Sequence, residues 1–346
     1  MTLLFQDRVL GSVLGLACGD AVGAPVEMKD SNHCLNYIEN VLKPRKFNKA
    51  FRTFEGPFIF GQYTDDTELS LALMHSIYSC NGQFDPADFA NKLQTVMSAG
   101  IVVGSGSSIK NAAAKLANGV SWLQSGTPAP RAGNGSAMRA APIGYLYASS
   151  ESFDEQAFIM DAHLQGYITH RDPRSIGASI LVAGSVALIM QGDNVEDPVS
   201  RAMFLQRLAN WVKPFDKLLS TVLTGLDLWS LEFPNAFALI DAYRDLEVKS
   251  NWPGISPFAR TTVLWALYSF LNSPRNFEQT IYTALSPGGD VDSTASIAGA
   301  MSGAYNGINY IPSTWINALH SLKEGHKDVE YLENEVVKFC SKIGRS

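Results

Sequence analysis

The sequence contains no C-x-x-C pair, and its four cysteines, Cys18, Cys34, Cys80 and Cys340, lie far apart. That spacing suggests neither a zinc cluster nor a disulfide framework, and it fits a reducing compartment. Charge is sparse at 17% of residues and slightly acidic, with a net charge of −6. A surface built for nucleic acid would carry the opposite balance, so no nucleic-acid-specific signal is present. No membrane span is expected either. Ile176–Met190, the most apolar later run, falls short of the roughly 18 residues required and contains Ser and Gly. The start, MTLLFQDRVLGSVLGLACGD, sets Asp7 and Arg8 ahead of its apolar part and is a poor match to a signal peptide. Fixed-period repeats, low-complexity tracts and alternating strand runs are also missing. These absences leave the expectation of a soluble, cytoplasmic protein.

What is present is hydrophobic. Of 346 residues, 46% are hydrophobic and 10% aromatic, enough for a sizeable core and unlike a disordered chain. In GSVLGLACGDAVGAPVE (11–27), Gly11, Gly15, Gly19 and Gly23 recur every fourth position and would line one face of a helix. Each costs roughly 0.5–1 kcal/mol relative to alanine, so close packing or a nearby ligand should compensate. Pro25 limits that helix and leaves Glu27 just beyond its end. Residues 68–79 are apolar around most of a helical circumference, and 175–190 and 293–305 are rich in Ala, Gly and Ser at helical spacing. Further helices are expected over 203–223, 257–272 and 326–343, with loops at 43–63, 125–136, 191–198 and 249–257. The pattern implies one all-α domain over residues 1–346, a compact helical bundle, with a second helical subdomain within about 195–285 as the alternative.

Residues 61–71, GQYTDDTELSL, place Asp65 and Asp66 side by side ahead of an apolar run. Thr64 as an N-cap followed by acids in the first turn is what capping and the macrodipole favour, so this stretch alone demands no further role. SPGGDVDST (286–294) repeats the arrangement: a glycine-rich turn, Asp290 and Asp292 flanking one residue, then Ser293 opening a small-residue helix. Two such starts would put four carboxylates at the ends of buried elements. Carboxylates within about 4–6 Å of each other resist ionising together, so a cation is expected to neutralise them. Oxygen donors from Asp, Thr and Ser suit Mg²⁺, Mn²⁺ or Ca²⁺ better than zinc. An EF-hand is disfavoured because, with Asp290 as the first loop position, Met301 occupies the twelfth.

RAGNGSAMRAAPIG (131–144) is a glycine-rich loop bearing Asn134, Ser136 and Arg139. Such loops let backbone N–H groups approach phosphate or sugar oxygens, but they also serve as plain connections, and no G-K-[ST] follows. THRDPRS (169–175) sets His170 among charges before a buried helix, as either a cap or a site residue. His75 and His163 read as packing residues, and His33, His320 and His326 carry no site signal. Lys43, Arg45, Lys46, Lys49 and Arg52 read as a solvated basic loop or as a contact for substrate phosphates.

As a set, these motifs resemble the ADP-ribosylglycohydrolase family. GSVLGLACGDAVGAPVE, YTDDT, GNGSAMRAAPIG, THRDPRS and GGDVDSTASIAGAMSGAYNG follow the family's order along nearly the whole chain. The resemblance implies an all-helical fold holding two divalent cations, Mg²⁺ or Mn²⁺, at the bottom of a cleft. Thr64, Asp65 and Asp66 would supply one side of that centre, and Asp290, Asp292 and Ser293 the other; Ser293 stands where many members carry threonine. Glu27 matches a glutamate implicated in catalysis, acting with Asp65 and Asp290. Gly133, Asn134, Gly135, Ser136 and His170 would contact the ribose and diphosphate of ADP-ribose. The implied activity cleaves the glycosidic bond between ADP-ribose and a protein side chain or small acceptor, so the expected partner is an ADP-ribosylated protein or small molecule. Carboxylates suit such chemistry, because the anomeric carbon develops oxocarbenium-like charge.

One departure concerns the acceptor. Some arginine-directed relatives carry an extra aspartate after the second helix, whereas AGIVVGSGSS (99–108) has no acid. Arginine, serine and other linkages therefore stay open. The alternative from a different class is a non-catalytic member that binds ADP-ribose or serves structurally, as crystallin-like members do. Loss of acids would favour it, and all four are present. A metal-dependent phosphohydrolase is disfavoured by the absence of a phosphoryl-transfer signature.

Overall fold

The computed structural model describes residues 3–47, 51–53, 56–150, 152–225, 228–244, 252–322 and 326–344. The chain is all-α. It opens with α1 (Phe5–Gly23) and α2 (Ser31–Tyr37), passes through a small antiparallel hairpin, β1 (Phe51–Thr53) and β2 (Gly56–Phe58), and continues into α3 (Asp65–Ser79). Next come α4 (Pro86–Ser98), α5 (Ser107–Ala117), α6 (Trp122–Ser125), α7 (Ala141–Ala148), α8 (Glu155–Tyr167) and α9 (Pro173–Gln191). The remaining helices are α10 (Pro198–Val212), α11 (Lys217–Thr224), α12 (Phe233–Asp241), α13 (Ala259–Asn272), α14 (Phe277–Leu285), α15 (Val291–Asn306), α16 (Ser313–Ile316) and α17 (Val329–Lys342). Among the described residues, one hydrophobic cluster runs from Val9 on α1 to Cys340 on α17.

The glycine stripe explains the centre of the molecule. A Cβ added at Gly11, Gly15 or Gly19 would lie 2.4, 2.3 or 2.1 Å from the carbonyl oxygens of Gly303, Gly299 and Ala295. One added at Gly23 would lie 2.4 Å from Asp292 Cα. The pairing runs in opposite directions along the two helices, so α1 and α15 are antiparallel, with backbones too close for any side chain between them. Contacts over this seam compensate for the conformational cost of the glycines. Arg8 fastens the far end by donating to Ala304 O at 3.0 Å, and Ser12 Oγ donates to Ala300 O at 2.8 Å. The C-terminus of α1 is thereby held against the N-terminus of α15.

Some expectations change. Helix 203–223 is two helices, α10 and α11, because Pro214 has no N–H to continue the ladder and Asp216 caps a new start by accepting from Leu219 N at 3.0 Å. The 43–63 loop holds the hairpin, whose three-residue strands are too short to show alternation. Lys49 lies outside the described residues, as does the side chain of Arg52. Lys43 pairs with Glu39, and Arg45 with Glu278 at 2.7 Å, which suits a solvated face. In the 249–257 loop, 249–251 lie outside the described residues. Phe5–Val26 and Pro173–Gln191 are both long and apolar enough to cross a membrane, yet 94% and 89% of an apolar 18-residue stretch in each is buried inside the fold. The length argument fails for α9, which is extended by its Asp172 cap and by Pro173; burial, not shortness, marks it as a core helix.

Candidate active site

A cleft of about 240 Å³ opens where α1, α3 and α15 meet. Glu27, Asp65, Asp290, Asp292 and Ser293 line one wall, Gly133, Asn134, Gly135 and His170 the other, and Gly104, Gly106, Ser107, Ser108, Ile109, Trp252 and Pro257 border it.

The aspartates are delivered by helix starts, and Glu27 by the segment that follows the end of α1. In α3, Thr64 occupies the N-cap position but makes no capping bond of its own. Asp20 of α1 supplies the cap instead. Its carboxylate accepts from Thr64 N at 3.0 and 2.9 Å, Thr64 Oγ1 at 2.6 Å, Thr67 N at 3.1 Å and Thr67 Oγ1 at 2.6 Å. Just before α15, Gly288 and Gly289 have φ of +75° and +89°, a left-handed turn that glycine adopts without strain. Met28 N donates to Gly289 O at 2.8 Å and Gly289 N to Lys29 O at 2.9 Å, which draws the segment after α1 alongside Asp290.

As a result, the carboxylate oxygens of Glu27, Asp290 and Asp292 lie within 4.8 Å of one another, Glu27 partly exposed and the two aspartates buried. Asp66 Oδ2 accepts from Ser293 Oγ at 3.4 Å, which joins α3 to the same group. Burial, then the charges of Asp20, Asp65, Asp292 and Asp290, push the Asp66 carboxyl well above its ordinary range. Burial and Asp292 push Asp290 up likewise, against the Asn134 amide that pulls it down. Burial raises Asp20 to about 7 in spite of the bonds from Thr64 and Thr67. Asp66 Oδ1 is buried with no hydrogen-bond partner among the described residues. An orphaned carboxylate oxygen in a crowd of buried carboxylates fits a hard divalent cation, because the ion would satisfy the oxygen and offset the repulsion.

The opposite wall is already satisfied. Asn134 N donates to Pro257 O at 3.0 Å, and its side-chain amide donates to Thr262 Oγ1 at 3.1 Å and Asp290 Oδ2 at 2.5 Å. Arg139, fully buried, donates to Gly135 O at 2.7 Å, Gln165 Oε1 at 3.2 Å, Gln165 O at 2.9 Å and Thr169 Oγ1 at 2.8 Å. Burial lowers its guanidinium to about 9, against the pull of Asp65. Thr169 Oγ1 accepts from Arg139 and lies nearer to His170 Nδ1, at 2.8 Å, than to Gly166 O, at 3.4 Å, and on that distance we take its proton to point at the nitrogen. That assigns the proton of neutral His170 to Nε2. Burial and Arg139 depress the imidazole to about 3, so it is uncharged at neutral pH. A Cβ at Gly133 would lie 3.1 Å from His170 Nε2, and one at Gly135 3.1 Å from Cε1, so a side chain at either position would press on this ring and require it to yield by a few tenths of an ångström.

Three of the expected residues stand behind the cleft surface. Thr64 and Asp66 are buried one layer back, and Ser136 Oγ donates to Ser175 O at 3.3 Å, facing the core. Asn134 lines the cleft, but its amide is committed to Thr262 and Asp290. Asp20 carried no expectation, although a single acid inside GLACGDAVG, a stretch otherwise apolar or small, was its signal. Gly104 was missed too: a Cβ there would lie 2.7 Å from Asp65 Oδ1. His163 packs edge-on against Tyr167 and Phe215, whereas His75 pairs with Glu335 of α17 at 2.6 Å instead of only packing.

The ADP-ribosylglycohydrolase family model matches residues 1–343. An uncharacterized protein of Archaeoglobus fulgidus is 31% identical, with 96% of each chain covered. The human ADP-ribosylhydrolase ARH3 is 26% identical over 97% of this chain and 94% of its own, and the ADP-ribosylarginine hydrolase Tri1 of Pseudomonas putida is 28% identical over 90% and 73%. A solved structure described as an ADP-ribosylglycohydrolase-related protein complex superposes with a TM-score of 0.68 at 25% identity, covering 98% of this chain and 99% of the other.

Proposed function

The chain belongs to the ADP-ribosylglycohydrolase family and is a glycosidic-bond hydrolase; from that premise we propose that it is a cytoplasmic, metal-dependent, single-domain enzyme that releases ADP-ribose from a protein side chain or small acceptor. The observation that carries this reading is the convergence of carboxylates from three separate segments on one cleft, with Asp66 Oδ1 left without a hydrogen-bond partner among the described residues.

Thr64, Asp65 and Asp66 from α3, and Asp290, Asp292 and Ser293 from α15, would hold two divalent cations, Mg²⁺ or Mn²⁺. When bound, such ions supply Lewis-acid polarisation of the ribose hydroxyls and of the attacking water. The remaining work falls to side chains. Carboxylates of the acidic wall stabilise positive charge at the anomeric carbon as its bond to the acceptor breaks and one to water forms. Glu27, the partly exposed member, moves the proton between water and the leaving group. On the opposite wall the Gly133–Gly135 turn accommodates ribose and diphosphate at close range, with His170 Nε2–H as a neutral donor that does not titrate at working pH. Ser136 and the Asn134 amide shape that turn from behind.

The deciding experiment is a panel of arginine-, serine- and cysteine-linked ADP-ribosyl substrates assayed with Mg²⁺, Mn²⁺ and a chelator. Release of ADP-ribose that needs metal, and is abolished in Asp65→Ala, is expected. Near-normal release by Asp65→Ala rejects the assignment. ADP-ribose binding without cleavage of any substrate favours a non-catalytic binding member.

A further inference from the structure

Asp20 does not line the cleft, and among the described residues its carboxylate hydrogen-bonds no expected cation ligand except Thr64, yet it is fully buried and accepts from two amides and two hydroxyls in the first turn of α3. An ordinary cap needs none of this, because a Ser, Thr or Asp at the N-cap satisfies those amides from its own chain. Here Thr64 holds that position and does not cap; a carboxylate from another helix does so at the cost of desolvation. The helix it comes from also fixes the other acids: Gly23, nearly one turn on, abuts Asp292 Cα, and Glu27 follows directly. One turn of α1 therefore sets the distance between the two acidic starts. The Thr64 proton, committed to Asp20 Oδ1 at 2.6 Å, leaves both lone pairs of the hydroxyl oxygen for other partners.

We infer that Asp20 is the positioning residue of the cation site, fixing where the Thr64, Asp65 and Asp66 oxygens point by gripping the first turn of α3 from α1. This rests on the metal-dependent reading above. Outer-layer partners of metal ligands characteristically govern affinity in this way.

The test is Asp20→Asn in the full chain, titrated with MnCl₂ by calorimetry and unfolded thermally in EDTA. Asparagine keeps the shape but turns an NH₂ group toward two donors. Roughly 10- to 100-fold weaker Mn²⁺ binding is expected, with turnover recovering at excess Mn²⁺. A lower unfolding temperature in EDTA with wild-type Mn²⁺ affinity means a structural role alone and overturns the inference. If Asp20→Asn fails to fold, Thr67→Val decides, since it deletes one donor and leaves the carboxylate. Several-fold weaker Mn²⁺ binding, restored in Thr67→Ser, supports the inference; unchanged affinity overturns it. Wild-type protein that binds neither Mn²⁺ nor Mg²⁺ refutes the metal-dependent reading itself, an outcome distinct from wild-type binding that the variants leave unaltered.

Discussion

The two walls of the cleft are opposites in electrostatic completeness. On the glycine-turn wall nearly every polar atom has a protein partner: Arg139 fills its donors with Gly135, Gln165 and Thr169, and Thr169 in turn fixes His170. On the acidic wall, buried carboxyls raise one another's pKa and Asp66 keeps an orphaned oxygen. A complete wall is a rigid surface that can wait for a ligand unchanged. An incomplete wall holds electrostatic strain that a cation would relieve. The bond from Asn134 to Asp290 Oδ2 is a direct joint between them.

The largest disruption should come from spreading the scaffold beneath the acidic wall. A Cβ at Gly19 lies 2.1 Å from Ala295 O, and backbone cannot step aside as a flexible side chain can. Gly19→Val is expected to cost about 3 kcal/mol or more, read as a lower midpoint in guanidinium unfolding, and to remove activity as Asp292 moves away from Glu27. Next is the complete wall. Arg139→Met strips donors from three buried residues and should cost about 2–3 kcal/mol, with weaker ADP-ribose binding by calorimetry. Wild-type affinity in that variant would mean that the wall's internal bonds do not shape the ligand surface.

A smaller effect follows from pH. Asp20, Asp66 and Asp290 have folded pKa values raised above those of the unfolded chain, so the folded state holds protons that the unfolded state releases. Their contribution is full below the unfolded value of about 3.9 and is lost as pH rises through the folded values, near 7 for Asp20. Metal-stripped protein should therefore melt several degrees lower at pH 8 than at pH 5.5, and Mn²⁺ should reverse the difference. A melting temperature that rises over this range in EDTA would contradict the strain assigned to the acidic wall.

The same contrast governs what could be read in the sequence. The acidic starts were legible because two acid pairs ahead of apolar helices exceed what capping requires, and the glycine stripe was legible because its four-residue period matches a helix face. The completed wall was not. GNGS looks the same whether its side chains face a ligand or the core, and only packing shows Ser136 turned toward Ser175 and Asn134 committed to Thr262 and Asp290. Asp20 was hidden because its partners lie 44 and 47 residues away. Helices such as α8, half exposed with Met160 on the outside, blur the apolar period and went unseen, and the break at Pro214 was overridden by an apolar pattern that continues across it.

Ser293 gives the finest test of the contrast, since it is a neutral group on the acidic wall. Its hydroxyl reaches Asp66 Oδ2 at 3.4 Å and lies 3.9 Å from Met138 Sδ, a flexible neighbour that can yield to one added methyl. Threonine keeps the oxygen and adds only that methyl. Ser293→Thr should hold Mn²⁺ affinity and turnover within about threefold of wild type, below the roughly 1.4 kcal/mol that a tenfold change represents. Ser293→Ala removes the one donor to Asp66 Oδ2 among the described residues, and should weaken Mn²⁺ binding by more than the threonine variant does. If the two substitutions behave alike, the hydroxyl contributes nothing to the cation site, and the acidic wall is built from carboxylates alone.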